Sequence, residues 1–198
     1  MAGTRWLGFE AVESPSHSGD RSAHLRLSWK PGERERPVHV KGAVQELSPS
    51  RFPTRIGGWF WVQSWENASE QTDMYLQAVV IVKGDPRARE LISPGDPDAT
   101  QLDNYQIRYY LGGVTEPPFE LTNARLKNVR PGPPPIGEWA YFEMPVRDDF
   151  ESLWGIVPAN YEYLRIFFEA RWDHKEPGAA LSADIYYDDL FFGFEPWP

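Results

Sequence analysis

The sequence predicts an all-β protein, an antiparallel β-sandwich of the jelly-roll kind with about nine strands in two sheets. Three observations predict it. The 19 Pro and 16 Gly punctuate short runs in which apolar and polar residues alternate. No segment keeps a helical period over three turns. The 198 residues show no internal repeat and no linker, so one domain spans 1–198. That length also favours a jelly roll over an immunoglobulin-like sandwich, which needs about 100 residues.

The elements follow in order. Strands are expected over 5–13, 22–30, 36–46, 56–65, 74–84, 104–114, 138–147, 162–172 and 183–194, with one helical turn around Asp148 to Trp154. Three strands have a clear inward set. It is Met74, Leu76, Ala78, Val80 and Val82 in the fifth, Tyr105, Ile107, Tyr109 and Leu111 in the sixth, and Leu164, Ile166, Phe168, Ala170 and Trp172 in the eighth. Strand 56–65 is ambiguous, because Phe60 and Val62 alternate with Trp59, Trp61 and Gln63. Two long connections break the rhythm. Asp85 to Asp103 is rich in proline and acid, and Thr115 to Gly137 ends in Pro131-Gly132-Pro133-Pro134-Pro135. Both read as loops stiffened by proline, of a length that is often functional. The acids Asp96, Asp98 and Asp103 lack the glycine and terminal glutamate of a calcium-loop motif, so a solvated loop is expected there.

Composition narrows the partners. A net charge of −9 argues against nucleic acid and against an anionic membrane surface. It also disfavours an acidic polysaccharide, unless a local arginine cluster overrides the net value. With no cysteine there are no disulfides and no thiolate chemistry. Met1 to Gly8 has no apolar core of a signal peptide, and no run of about 18 apolar residues predicts a membrane span. Aromatics reach 15%, with 9 Trp, 9 Tyr and 11 Phe, and Trp and Tyr beyond the needs of a core are what sugar- and protein-binding surfaces use.

The last strand carries an acidic pair within an aromatic run, Ile185-Tyr186-Tyr187-Asp188-Asp189-Leu190-Phe191-Phe192. Strict alternation places Asp188 with Leu190 toward the core and Asp189 toward solvent. A carboxylate turned inward needs a partner: a bound cation, an arginine, or backbone N–H groups.

Three segments together carry a resemblance. They are Leu7-Gly8-Phe9-Glu10 followed by His17-Ser18-Gly19-Asp20-Arg21-Ser22, then Gly57-Gly58-Trp59-Phe60-Trp61-Val62, and finally Gly137-Glu138-Trp139-Ala140-Tyr141-Phe142 with Tyr187-Asp188-Asp189-Leu190. Their order resembles the jelly-roll carbohydrate-binding modules and the broader galactose-binding-like group. The resemblance implies a structural calcium that ties the first strand, the turn before the second and the last strand. Glu10 would match the first-strand carboxylate, the turn at Ser18 and Asp20 would offer carbonyls, and Asp188 would match the terminal aspartate. Calcium takes six to eight oxygens, which such a set could largely supply.

A ligand face is expected on the outside of a sheet. If strands five, six and eight share one, its outer face carries Tyr75, Gln77, Arg108, Tyr110, Arg165 and Glu169, with Trp59 or Trp61 alongside. Rings pack on the C–H face of a pyranose, while amides, carboxylates and guanidinium groups bond its hydroxyls. An ordinary solvated face would show the same residue types. The expected function is therefore non-catalytic binding of a polysaccharide, most readily a neutral one, in a domain belonging to a larger protein; a secreted or cell-surface location goes with that reading. The alternatives are a glycoside hydrolase or lyase on the same fold, or an interaction domain without a small ligand. For the hydrolase, Glu169 and Asp173 are the possible acid pair. For the lyase, Tyr110, Arg108 and Arg165 are the candidates. The histidines His17, His24, His39 and His174 show no metal spacing.

Overall fold

The computed structural model describes residues 7–48, 51–95 and 103–193. Among these the strands are β1 (Glu10–Val12), β2 (Ser22–Trp29), β3 (His39–Leu47), β4 (Arg55–Asn67), β5 (Asp73–Lys83), β6 (Asn104–Gly112), β7 (Ala124–Asn128), β8 (Trp139–Met144), β9 (Tyr163–Asp173) and β10 (Leu181–Gly193). Two short helices join them, α1 (Ala88–Ile92) and α2 (Val146–Trp154). Trp197, Asp96 and Asp98 lie outside the described residues. No helix among the described residues is long and apolar enough to cross a membrane.

Two five-stranded sheets stack face to face, in the orders β1-β2-β10-β4-β8 and β3-β9-β5-β6-β7. Without the edge strands β1 and β7, the orders are 2-10-4-8 and 3-9-5-6, the interleaving of a jelly roll. The fold class is thus as the sequence predicts, with additions. β7 is a tenth strand, and it runs parallel to β6, so the second sheet is mixed. Its sequence, Ala-Arg-Leu-Lys-Asn, offers one large apolar residue and no β-branched one, which leaves no alternation to recognise. The α1 turn sits inside the first long connection.

The core forms where the alternating apolar sets of the two sheets meet. Met74, Leu76, Ala78, Val80 and Val82 of β5 are all buried in it, as are the expected inward residues of β6 and β9. In β4 the ambiguity resolves to Ile56, Phe60 and Val62 inward. Helix α2 closes one end of the sandwich. Its Phe150 ring meets Phe52 at 5.2 Å and Tyr105 at 5.8 Å, and Gly155 ends the helix in the left-handed conformation (φ 72°) that a side chain disfavours.

Strand β10 departs from the expected phase. Leu181, Ala183, Ile185 and Tyr187 face the core, so Asp188 does not. The pairing with β4 slips between Asp188 (opposite Trp59) and Phe191 (opposite Gly57), and Asp189 takes φ 48°. This one-residue bulge inverts the alternation, which is how Leu190 and Phe192 return to the core side. Opposite it, Gly58 (φ 153°) has no room for a side chain: a Cβ there would lie 2.8 Å from Leu190 Cδ2.

Candidate functional site

Strands β9, β5 and β6 are adjacent, so the outer sheet face expected from sequence exists. Register arranges its side chains in rows. Glu169, Gln77 and Tyr110 lie across one row, Phe167, Val79 and Arg108 across the next, and Arg165, Ile81 and Gln106 across a third. Beyond Glu169 come Arg171, opposite Tyr75, and Asp173.

This face is buried far more than an ordinary solvated one. Tyr75, Gln77 and Tyr110 are each 0% exposed and Gln106 is 5%. The cover comes from the second long connection, whose Phe119 packs with Val114, just before the connection, and Leu126 of β7 against the Tyr75 and Tyr110 rings. The Phe119 ring stands 5.3 Å from the Arg108 guanidinium and 4.8 Å from that of Arg171, both cation–π contacts.

Beneath that cover the polar groups divide into two sets. One is satisfied. Asp173 accepts from the Tyr75 hydroxyl at 2.5 Å and from Arg171 Nε and Nη2 at 2.8 and 2.7 Å, a bidentate pair. Gln77 Nε2 donates to Glu169 Oε2 at 2.6 Å. The other set has no partner. Gln77 Oε1, Gln106 Oε1, Arg108 Nε, Arg108 Nη1 and the Tyr110 hydroxyl are shut off from solvent and unbonded, and they make up five of the ten such atoms among the described residues. Burial raises the Glu169 pKa, with Arg108 and the Gln77 bond pulling it back down. Burial likewise lowers the Arg108 pKa and pushes the Tyr110 hydroxyl up to about 12.

The structure thus brings together Tyr75, Gln77, Arg108, Tyr110 and Glu169. Arg165 stands apart toward the β3 rim, where Nε donates to Glu46 at 2.8 Å. Trp59 and Trp61 belong to β4, in the opposite sheet, so they do not line this face. There Trp59 stacks on the His17 ring at 4.1 Å and meets Tyr141 at 5.3 Å, while Trp61 meets Trp139 at 5.8 Å. Sequence reasoning missed Phe119, Gln106 and the Arg171–Asp173 pair as parts of the site. Alternation already turned Gln106 and Arg171 outward, but no local rule places a loop phenylalanine over a sheet.

The residues expected to hold calcium are only partly gathered. Asp188 Oδ2 accepts from the backbone N–H of His17 at 2.7 Å and of Ser18 at 3.1 Å, and Oδ1 accepts from that of Asp189 at 2.8 Å. Asp189, expected to be left to solvent, holds the same turn, with the Ser18 hydroxyl on Oδ1 and His17 Nδ1 2.8 Å from Oδ2. Glu10 is 83% exposed and turns to His24 Nδ1 at 3.8 Å, and Asp20 is exposed. The turn therefore presents N–H hydrogens to Asp188, where an oxygen cage for calcium would present carbonyls. The acidic pair still joins the two ends of the fold, through hydrogen bonds. Asp188→Ala, which hands two exposed turn N–H groups back to water, is expected to cost about 0.5–1.5 kcal/mol. Taken alone, these hydrogen bonds predict a loss that does not depend on calcium. A melting temperature that rises on adding calcium, and no longer does so in Asp188→Ala, would establish the ion instead.

No protein-family model and no curated protein matches the chain. Among solved structures it is similar to TmCBM61 in complex with β-1,4-galactotriose, at 10% identity over 98% of this chain and 90% of that one, with a TM-score of 0.44. It is similar also to the catalytic domain of Humicola grisea Cel12A in complex with a thio cellotetraose, at 14% identity over 91% and 84%, with a TM-score of 0.37. The jelly-roll assignment rests on the strand order of this chain and takes nothing from these distant likenesses.

Proposed function

We propose that the chain is a non-catalytic carbohydrate-binding domain that holds a polysaccharide on the outer face of β9, β5 and β6. The observation that carries this reading is the set of five unbonded polar atoms on that face. Buried polar groups in folded proteins are nearly always hydrogen-bonded, and each one left without a partner costs about 1–3 kcal/mol. Several on one sheet face, from neighbouring strands, mark a place kept for a polar ligand. A scattered core defect would not repeat across β5 and β6.

The same geometry speaks against the enzyme alternatives. Glu169 and Asp173 are four residues apart on one strand, about 13 Å at the usual rise, whereas paired glycosidase carboxylates stand at about 5–9.5 Å. Asp173 is moreover committed to Arg171 and Tyr75. The lyase alternative needs a tyrosine base, and burial moves Tyr110 the wrong way for one.

Affinity gel electrophoresis against soluble polysaccharides tests the reading. We expect retardation on at least one glycan, with no reducing ends or unsaturated products released from any of them. Free migration on every glycan would sink it, and product release would move the chain to the enzyme class.

A further inference from the structure

The unpartnered atoms also specify what kind of sugar fits. The Arg108 guanidinium can only donate, and its Nε and Nη1 have no acceptor among the described residues. Gln77 Oε1 and Gln106 Oε1 can only accept, while the Tyr110 hydroxyl does both. A bare carboxylate, which brings acceptors alone, would serve Arg108 but leave both amide oxygens empty; a uronate would add hydroxyls for them but would set its charge near Glu169, itself within electrostatic reach of Arg108. An ammonium group would serve the amide oxygens and abandon Arg108. Hydroxyls donate and accept at once, so sugar rings that carry several of them suit every atom in the set.

The ligand's place is already filled. The five atoms are closed to solvent, and the side chain lying over the Arg108 and Arg171 guanidinium groups is Phe119, a six-membered ring. Its loop is fastened at the ends. Val114 O accepts from Gly132 N, Asn128 Nδ2 donates to Thr115 O, and Leu121 O accepts from Ala124 N. Between these points, residues 116–120 make no backbone hydrogen bond among the described residues. Phe119 is therefore held over the face by its ring contacts.

Resting on the carbohydrate reading above, we propose that Gln77, Arg108 and Tyr110 form a subsite for one uncharged, hydroxyl-rich sugar ring, which binds by displacing the Phe119 side chain, with Gln106, one row further along β6, placed for the next ring of the chain. Displacement has a consequence for affinity. When only a fraction of the molecules is open, apparent affinity falls by that fraction, and a change that frees the site restores it. Phe119 is in this sense a self-occupant of the site. A ring that stacked on the ligand would have the opposite effect when removed.

Calorimetric titration of the wild-type chain, Phe119→Ala and Phe119→Leu distinguishes the two. The probes are neutral β-1,4-linked hexaoses of glucose, galactose and xylose, together with hexagalacturonate as the carboxylated counterpart. The expected result is binding of at least one neutral hexaose, tightened about 3- to 10-fold in both variants, and no binding of hexagalacturonate by any of the three proteins. Weaker or unchanged affinity in the variants would overturn the displacement, and preference for hexagalacturonate would overturn the sugar class. If the wild type and both variants bind none of the four probes while a polysaccharide retards the chain in the gel assay, the subsite falls and the carbohydrate reading stands; if both assays are blank, the reading falls too. Binding by the variants alone supports both.

Discussion

Phe168→Ala is expected to destabilise the fold by about 3–5 kcal/mol, as large aromatic truncations in a core do. Phe168 is 1% exposed at the centre of β9. Its ring meets Tyr187 of β10 at 5.0 Å, Phe142 of β8 at 5.7 Å and Phe9, just before β1, at 6.5 Å. One side chain of the second sheet thus touches three elements of the first. The void left by its removal cannot collapse readily, because β9 is hydrogen-bonded between β3 and β5 along its full length. At about 2–4 °C per kcal/mol for a chain of this size, the melting temperature should fall by roughly 10 °C. Urea unfolding checks it, through a lower midpoint at unchanged slope. Phe167→Ala is the control. The Phe167 ring lies on the outer face, half-buried, and its loss should cost no more than about 1 kcal/mol. Equal losses at 167 and 168 would mean that the phase of β9 is misplaced.

That phase was legible because β5, β6 and β9 alternate without interruption through the residues that matter. Period two then separates core from outer face, and the outer set contains Gln77, Arg108, Tyr110 and Glu169. Legibility stops where backbone geometry intervenes. The bulge at Asp189 inverts the alternation of β10, and nothing in Tyr-Asp-Asp-Leu announces an extra residue. Asp188 therefore reads inward by parity and lies outward in fact, partnered by the turn at His17 and Ser18. Trp59 and Trp61 show a second limit. Alternation tells which face of its own sheet a residue takes, but sheet membership is a property of topology, and β4 pairs with β10 and β8. Phe119 shows a third. Its position over Arg108 depends on where a long proline-rich loop folds back, which no local period encodes.

Arg108→Met should make the protein more stable and a worse binder. The guanidinium lies within the covered face, burial lowers its pKa, and its Nε and Nη1 are out of reach of both water and protein acceptors. Cationic nitrogens shut away from every acceptor are costly, and an apolar side chain of similar volume removes that cost. Methionine matches the length, adapts its shape and can keep contact with the Phe119 ring. Glu169 loses the nearest attraction opposing its burial but keeps the Gln77 bond. The expectation is a higher melting temperature. Glycan affinity should fall at least tenfold, about 1.4 kcal/mol, because no other group of the subsite offers several donors. Arg108→Lys separates charge from geometry. It keeps the cation but not the planar fork, so its binding should also fall if hydroxyls are read by that fork. Differential scanning calorimetry and affinity electrophoresis on the same preparations give both numbers. A lower melting temperature in Arg108→Met would make Arg108 a structural residue whose partners lie within the fold. A higher one with binding intact would make it dispensable to the ligand. Only the combination of gained stability and lost binding fits a charge retained in a covered sheet face for a molecule that comes from outside.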